Sequence, residues 1–308
     1  MIRLSVIIPA YFPPPEQIGP VLDALRKQTL PRNAWELVIV DNRTVPPLDS
    51  ELVAWHPNGR LVREERPGTT AARLAGAANS SGALIVFVDQ DNILAPDFLA
   101  TALRIAVEHP QLGTWGAGII TPRFERPETA PPPSLHSLLT LRSAAQDQWS
   151  NDPNHHDSTP WGAGFCVRRT VLTAYAKAVR ADERRGALDL CGERRFASGD
   201  TDIAYVGCDL GWGKGVFRAL RLEHIIPASR CTENYLCKNA EDRGYSDILH
   251  HLVRHGRLPT LRGGPLEKLR RLLHGRSISA LERAVQRATW RGRARALAEL
   301  SAAETKRS

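Results

Sequence analysis

The 308-residue sequence lacks long apolar runs and contains only five cysteines. No apolar run approaches the roughly 20 residues needed to cross a bilayer, and no signal-peptide pattern precedes the first predicted strand. The cysteines show no C-x-x-C spacing, which argues against a disulfide framework or a zinc site and favours reduced thiols. These absences predict a cytoplasmic protein without a membrane span.

The net charge of +8 is unevenly distributed. Residues 251–308 carry 14 Lys and Arg against 4 Asp and Glu, a net +10, whereas residues 1–250 have a net charge of −2. Spaced leucines between 266 and 273, and a capping-box pattern at Ser279 and Glu282, predict two basic amphipathic helices. Such helices bind anionic membranes or acidic partners, or pack on the body with a solvated basic face. Both alternatives are open, and we expect the tail to span 249–308.

Residues 84–88 are all apolar and predict a strand buried on both faces, which ends on Asp89 and Asp91. Two carboxylates with one residue between them can provide hard oxygen ligands for Mn²⁺ or Mg²⁺. The alternative is a polar strand end or a helix cap, because aspartate is common at both. The segment is therefore a candidate metal site.

Strands are also predicted at residues 4–10 and 35–40, with helices between the strands. This alternation predicts an α/β fold with a mostly parallel sheet flanked by helices. Because parallel strands share a carboxyl edge, their ends should form one site. The residues that we expect there are Pro9, Ala10, Tyr11, Asp41, Asn42, Asp89, Gln90 and Asp91.

The second half of the chain is less regular. Residues 121–160 are rich in proline and polar residues and predict a mobile flap or inserted loop. Asp200 follows Gly199 and is predicted to cap a helix that begins near Thr201. His224 ends a predicted strand, where a lone histidine is more often structural than a ligand.

Taken in order, these segments resemble the family 2 glycosyltransferases, which have the glycosyltransferase-A fold. The resemblance covers about residues 4–230 and depends on ordered segments, each weak alone. They are Val6 to Tyr11, Val40 to Asn42, Ala72 to Gly76, Asp89 to Asp91, Gly199 to Asp202 and His224 to Pro227.

The resemblance implies a catalytic domain over 1–248, with a nucleotide-binding half at about 1–120 and an acceptor half at about 121–248. It implies Asp200, or else Asp202, as the general base, and we prefer Asp200. It implies Mn²⁺ or Mg²⁺ as the cofactor, with Asp91, Asp89 and His224 as ligands. The residues that it assigns to the donor are Pro9, Ala10, Tyr11, Asp41, Arg66, Arg73, Asp89 and Gln90.

Three positions depart from the family pattern. Leu74 stands where the family usually has Asn, Gly199 stands where it has Glu, and Phe12 follows Tyr11 where it has Asn. The change at Gly199 leaves the choice between Asp200 and Asp202 open.

The expected activity is metal-dependent, inverting transfer of a sugar from a nucleotide-diphosphate donor to a hydroxyl acceptor. The basic tail suggests a glycan or lipid-linked acceptor in polysaccharide, O-antigen or other cell-surface glycan assembly, with residues 255–295 on the inner face of the plasma membrane. A sugar-nucleotide nucleotidyltransferase is the first alternative, but residues 11–15 are not the glycine- and basic-rich loop that it requires. A nucleic-acid-binding protein acting through the tail leaves the carboxylates unexplained, so no nucleic acid partner is expected.

Overall fold

The computed structural model describes residues 2–189, 198–260 and 278–305. The strands are β1 Leu4–Ala10, β2 Trp35–Asp41, β3 Gly59–Arg63, β4 Leu84–Phe87, β5 Asn92–Leu94, β6 Leu112–Phe124, β7 Arg142–Ser143, β8 Gln148–Ser150, β9 Phe165–Arg168 and β10 Gly213–Ile226. The α-helices are α1 Pro15–Arg26, α2 Glu51–Ala54, α3 Thr69–Ala78, α4 Phe98–Glu108, α5 Arg169–Ala181, α6 Gly199–Asp209, α7 Glu233–His255 and α8 Ala280–Thr305.

One sheet runs through the molecule in the order β3-β2-β1-β4-β9-β6-β10-β5. Its first four strands are parallel, as expected from the sequence. Beyond β4 the sheet is mixed, because β9 lies antiparallel to both of its neighbours and β10 is parallel to β6 but antiparallel to β5. The predicted α/β class is confirmed, and the parallel arrangement belongs to the first half.

The two faces of the sheet are covered by different helices. In β1, Val6 and Ile8 pack with the apolar faces of α1 and α4, whereas Ile7 packs with α3, α5 and α6. Successive side chains of a strand point to opposite faces, so a strand covered on both sides must be apolar throughout. This covering explains the continuous apolar runs of β1, β2 and β4.

The segment 121–160 contains more regular structure than the predicted flap. A short 3-10 helix spans Pro133–Leu139, β7 pairs with β6, and β8 pairs with β10. These contacts attach the segment to the second half of the sheet, and its mobility stays a prediction.

The described part of the tail packs on the body of the protein. α7 continues without a break through residues 248 and 249, and α8 lies against it. The backbones approach so closely that a Cβ added at Gly244 or Gly292 would overlap a carbonyl oxygen of the other helix. The capping box is confirmed, since the Ser279 and Glu282 side chains each bond to the other's backbone N–H.

Three arginines of α8 form ion pairs with acids of α7. Arg293 contacts Asp247 at 2.8 Å, Arg295 contacts Glu241 at 2.7 Å, and Arg291 lies 3.5 Å from Glu241. The first predicted tail helix, with its leucines between 266 and 273, lies outside the described residues. No described helix combines the length and the apolar character needed to cross a bilayer.

Candidate active site

The predicted strand ends meet at one edge of the sheet. Ala10 of β1 pairs with Asp41 of β2, and β1 also pairs with β4, which leads directly into Asp89. The backbone N–H of Tyr11 donates to the side-chain oxygen of Gln90 at 3.0 Å, which ties the loops after β1 and β4 together. Helix α6 and the end of β10 add residues from the second half of the chain. We call this region the candidate site.

Asp91 is buried and faces two side chains from the end of β10 and beyond. Arg230 donates to its Oδ2 atom at 2.9 Å, and Nε2 of His224 lies 3.4 Å from the same atom. Nδ1 of His224 donates to the carbonyl oxygen of Leu139 at 2.9 Å. Because Nδ1 is engaged by this carbonyl, Nε2 is the ring nitrogen directed at Asp91.

This arrangement suits a divalent cation. Burial alone would raise the pKa of Asp91, but the facing His224 and Arg230 outweigh burial and lower the pKa to about 2. An ionised carboxylate and an imidazole nitrogen are suitable ligands, and the Arg230 guanidinium already places positive charge between them. No three His, Cys, Asp or Glu side chains cluster as metal ligands in the described parts of the chain. Asp91 and His224 would thus leave most positions on the ion to other oxygens.

Arg73 of α3 lies buried between carboxylates. It donates to Asp189 at 3.0 Å and lies 3.8 Å from Asp89. The side chain of Asp89 is 37% exposed, but its carboxylate is partly desolvated and lies close to Asp91. Desolvation, opposed by Arg73 and reinforced by Asp91, raises the pKa of Asp89 to about 6. Arg73 therefore links the segment after β4 to the acids of the second half.

Asp200 and Asp202 have different surroundings. Both oxygens of Asp202, which is fully buried, accept hydrogen bonds from Arg185 at 2.6 and 2.7 Å, and His250 lies 3.4 Å from it. Asp200 is only half-buried, and burial raises its pKa despite the opposing charge of Arg73. Helix α6 begins at Gly199 with Ser198 as its N-cap, so the prediction that Asp200 caps a later helix was wrong. Asp200 lies in the first turn and faces the candidate site.

The predicted donor residues are not equally accessible. Tyr11 is 60% exposed, and Arg66 is exposed and paired with Glu64. Asp41 is buried and accepts hydrogen bonds from the backbone N–H groups of Thr44 and Leu48 and from Arg63, which lower its pKa despite burial. In this structure Asp41 organises the loop after β2 and is not open to a ligand.

Comparison with known proteins assigns the chain to a family. The family model "Glycosyl transferase family 2" matches residues 5–168, more than half of the chain. The chain belongs to glycosyltransferase family 2. The resemblance inferred from the motifs is thereby confirmed, and the matched region contains the candidate-site residues from Pro9 to Asp91.

Individual relatives of this family member are distant. Glycosyltransferase AglE of Haloferax volcanii is 35% identical over 92 residues, which cover 29% of this chain and 30% of AglE. Protein y4gI of Sinorhizobium fredii is 28% identical over 116 residues, 35% of this chain and 12% of that protein. The matches thus span less than a third of either relative.

The fold is shared with a solved structure. The mannosyltransferase PcManGT from Pyrobaculum calidifontis, in complex with GDP-Man and Mn²⁺, aligns with a TM-score of 0.55 at 20% identity, covering 98% of this chain and 75% of the PcManGT chain. The predicted glycosyltransferase-A architecture is confirmed.

Several charged groups of the site were missed by sequence reasoning. Arg230 and Asp189 touch predicted residues directly, and Arg142 stacks on Trp161 with 3.7 Å between the guanidinium carbon and the ring centroid. Burial lowers the pKa of Arg142 to about 10, and Asp200 is the carboxylate that opposes this most. No local pattern marks these residues, because each is brought to the site by the packing of a separate segment.

Proposed function

We propose that this chain is a metal-dependent, inverting glycosyltransferase that moves a sugar from a nucleotide-diphosphate donor to a hydroxyl acceptor. The observation that carries the proposal is the presence, within one site, of the facing side chains of Asp91 and His224 and of a separate half-buried carboxylate, Asp200. Membership of the family sets the reaction class, and the contacts support the roles that we propose for individual residues.

The donor binds along the ends of β1, β2 and β4. In this proposal Tyr11, with Pro9 and Ala10 behind it, contacts the nucleotide, and Gln90 holds the Tyr11 loop in place through its 3.0 Å hydrogen bond. Asp41 acts by shaping the neighbouring loop, and Arg66 reaches the donor from the rim. Arg73 and Asp89 lie deeper and hold the sugar and ribose side of the site.

Asp91 and His224 would hold Mn²⁺ or Mg²⁺, with Asp89 close by. The bound ion would act as a Lewis acid that stabilises the negative charge on the departing diphosphate. A protein of the same fold, PcManGT, is described as binding GDP-Man and Mn²⁺, which supports this choice of partners. The structure leaves Arg230 beside the same carboxylate, where its positive charge also favours a diphosphate.

Asp200 is proposed as the general base. The acceptor hydroxyl loses its proton to a carboxylate oxygen of Asp200 as its own oxygen bonds to the anomeric carbon. The bond from that carbon to the diphosphate oxygen breaks, and its electron pair leaves with the nucleoside diphosphate. Attack opposite the leaving group inverts the anomeric configuration. A raised pKa makes Asp200 a better proton acceptor than an ordinary surface aspartate.

The acceptor half, about residues 121–248, would bind the hydroxyl substrate. Trp161 and Arg142 stack to form a flat aromatic and cationic surface. Gly162, the next residue after Trp161, lies close to the base, since a Cβ added there would come 3.4 Å from Oδ2 of Asp200. This surface suits a glycan or lipid-linked acceptor in cell-surface polysaccharide assembly.

Calorimetric titration of UDP, GDP and dTDP, with and without Mn²⁺, tests the proposal. We expect Mn²⁺-dependent binding of one nucleotide, lost in Asp91→Ala and retained in Asp23→Ala, a matched control at an exposed carboxylate of α1. Absence of binding for all three nucleotides, with or without metal, would contradict the proposed function.

We further propose a peripheral location on the inner face of the plasma membrane through residues 255–295. Because three α8 arginines pair with α7, basic residues before α8 would contribute most of the attraction. We expect full-length protein to sediment with anionic vesicles, and substitution of Lys268, Arg270, Arg271 and Arg276 by glutamine to prevent it. Equal, negligible sedimentation of both proteins would exclude this location.

A further inference from the structure

Arg73 contacts acids that come from different parts of the chain. Its closest partner is Asp189, which follows the 3-10 helix Glu183–Leu188 and accepts a hydrogen bond at 3.0 Å. Thr70 donates to the same Asp189 oxygen at 3.3 Å. On its other side, Arg73 lies 3.8 Å from Asp89. Asp189 is thus the acid that anchors a buried arginine within the candidate site.

Gly199 provides the space that the Asp189 carboxylate occupies. A Cβ added at Gly199 would lie 2.6 Å from Oδ2 of Asp189 and 2.8 Å from its Cγ. The backbone conformation does not require glycine here, because the φ angle of Gly199 is not in the positive region. The requirement is one of space, and Gly199 directly precedes the proposed base, Asp200.

We propose that Asp189 is a positioning residue. Its carboxylate, which comes from a separate segment, occupies the place beside Asp200 that an acidic side chain at position 199 would otherwise fill. Asp189 holds the Arg73 guanidinium, and Gly199 is the complementary gap. The positioning role of Asp189 rests on the proposed function, because it takes Asp200 as the base. The exchange of an acid between positions 189 and 199 depends only on geometry.

The consequence is that one acid, and only one, fits this space. A carboxylate oxygen of an aspartate lies two bonds from its Cβ, so an aspartate at 199 can place its oxygen close to the present Asp189 Oδ2 position. An acid at both positions is crowded and like-charged, and an acid at neither leaves the buried Arg73 without its closest counter-ion. Moving the acid from 189 to 199 should restore both packing and charge.

The test compares Asp189→Ala, Gly199→Asp and the double variant. We expect each single change to lower the urea midpoint of unfolding and to slow release of nucleoside diphosphate from the nucleotide sugar by at least about tenfold. The double variant should recover most of both losses. Gly186→Asp is the matched control, because a Cβ at Gly186 meets nothing within 4 Å in the same segment. It should leave both measurements unchanged.

Asp189→Asn keeps the shape of the side chain and removes its charge. We expect it to fold, to bind the nucleoside diphosphate selected by the titration as wild type does, and to turn over more slowly. Wild-type turnover in this variant would overturn the positioning role. Losses that simply add in the double variant would overturn the exchange between 189 and 199. Unfolding needs no substrate, so failure of the proposed glycosyl transfer would appear separately, as absence of nucleotide binding by wild type.

Discussion

Two segments of this protein have the same D-x-D spacing on different backbones. Asp89 and Asp91 follow strand β4, where the chain turns and directs both carboxylates into the candidate site. Asp200 and Asp202 lie on helix α6, where residues two apart point about 200° away from each other. One of this second pair faces the site and the other lies in the core. Carboxylates at this spacing can therefore act together after a strand but not within a helix.

The partners of the four acids follow the same division. Asp91 faces His224 and Arg230, and Asp89 lies near Arg73, so both acids of the strand-end pair share the site with cations. In the helical pair, Asp202 is neutralised by Arg185. Asp200 is the one left to interact with substrate in the proposed reaction.

The largest effect is expected from Asp200→Asn. Losing the proton acceptor should slow glycosyl transfer by about 10²–10⁴-fold, with nucleotide binding and melting temperature nearly unchanged. Asp202→Asn, assayed where circular dichroism shows it folded, should retain activity per folded molecule. Near-full turnover of the Asp200 variant together with an inactive Asp202 variant would reverse the assignment of the base.

Asp202→Asn should instead reduce stability. It removes the charge that compensates the mostly buried Arg185, and breaking such a pair costs about 3–5 kcal/mol, measurable by urea unfolding. The neighbouring, more exposed pair Asp182 and Arg184 provides the control, since Asp182→Asn should cost below about 1 kcal/mol. Equal losses at the two pairs would show that burial does not distinguish them.

Within the strand-end pair, Asp91→Asn should weaken Mn²⁺-dependent nucleotide binding by about 10–100-fold, measured by calorimetry. Asp89→Asn should weaken it less, because Asp89 is more exposed and its nearest cationic partner is Arg73, away from His224. A larger loss at Asp89 would move the cation site towards Arg73.

The smallest effect concerns pH. Because the pKa of Asp200 is raised, the transfer rate should fall on acidification at a pH above the ordinary aspartate range, as the base becomes protonated. Arg73 opposes this shift, so Arg73→Gln should move the acidic limb to still higher pH. Asp202→Asn should leave the limb in place.

Asp89, with a pKa of about 6, titrates in the same range. The profile should therefore be repeated in Asp89→Asn. Persistence of the acidic limb in that variant would assign it to Asp200, and its disappearance would assign it to Asp89.

The first half of the fold was predictable because its signals are local. Each of β1, β2 and β4 is a continuous apolar run covered on both faces, and each ends at the residues that form the site. Helix α4, Phe98–Glu108, has an equally local signal, because its buried apolar residues recur at helical spacing. The second half was predicted less well, since β9 reverses direction between two strands that are distant in sequence.

The sequence by itself determined the order of the motifs along the chain, the family and the identity of the acids at the strand ends, because these depend on local hydrophobic pattern and chain order. Only the tertiary structure separated Asp200 from Asp202, brought Arg230 to Asp91, and placed Asp189 over Gly199. Those contacts join residues from distant segments. Charge compensation and close packing between such segments are decided when the elements assemble, and no local pattern encodes them.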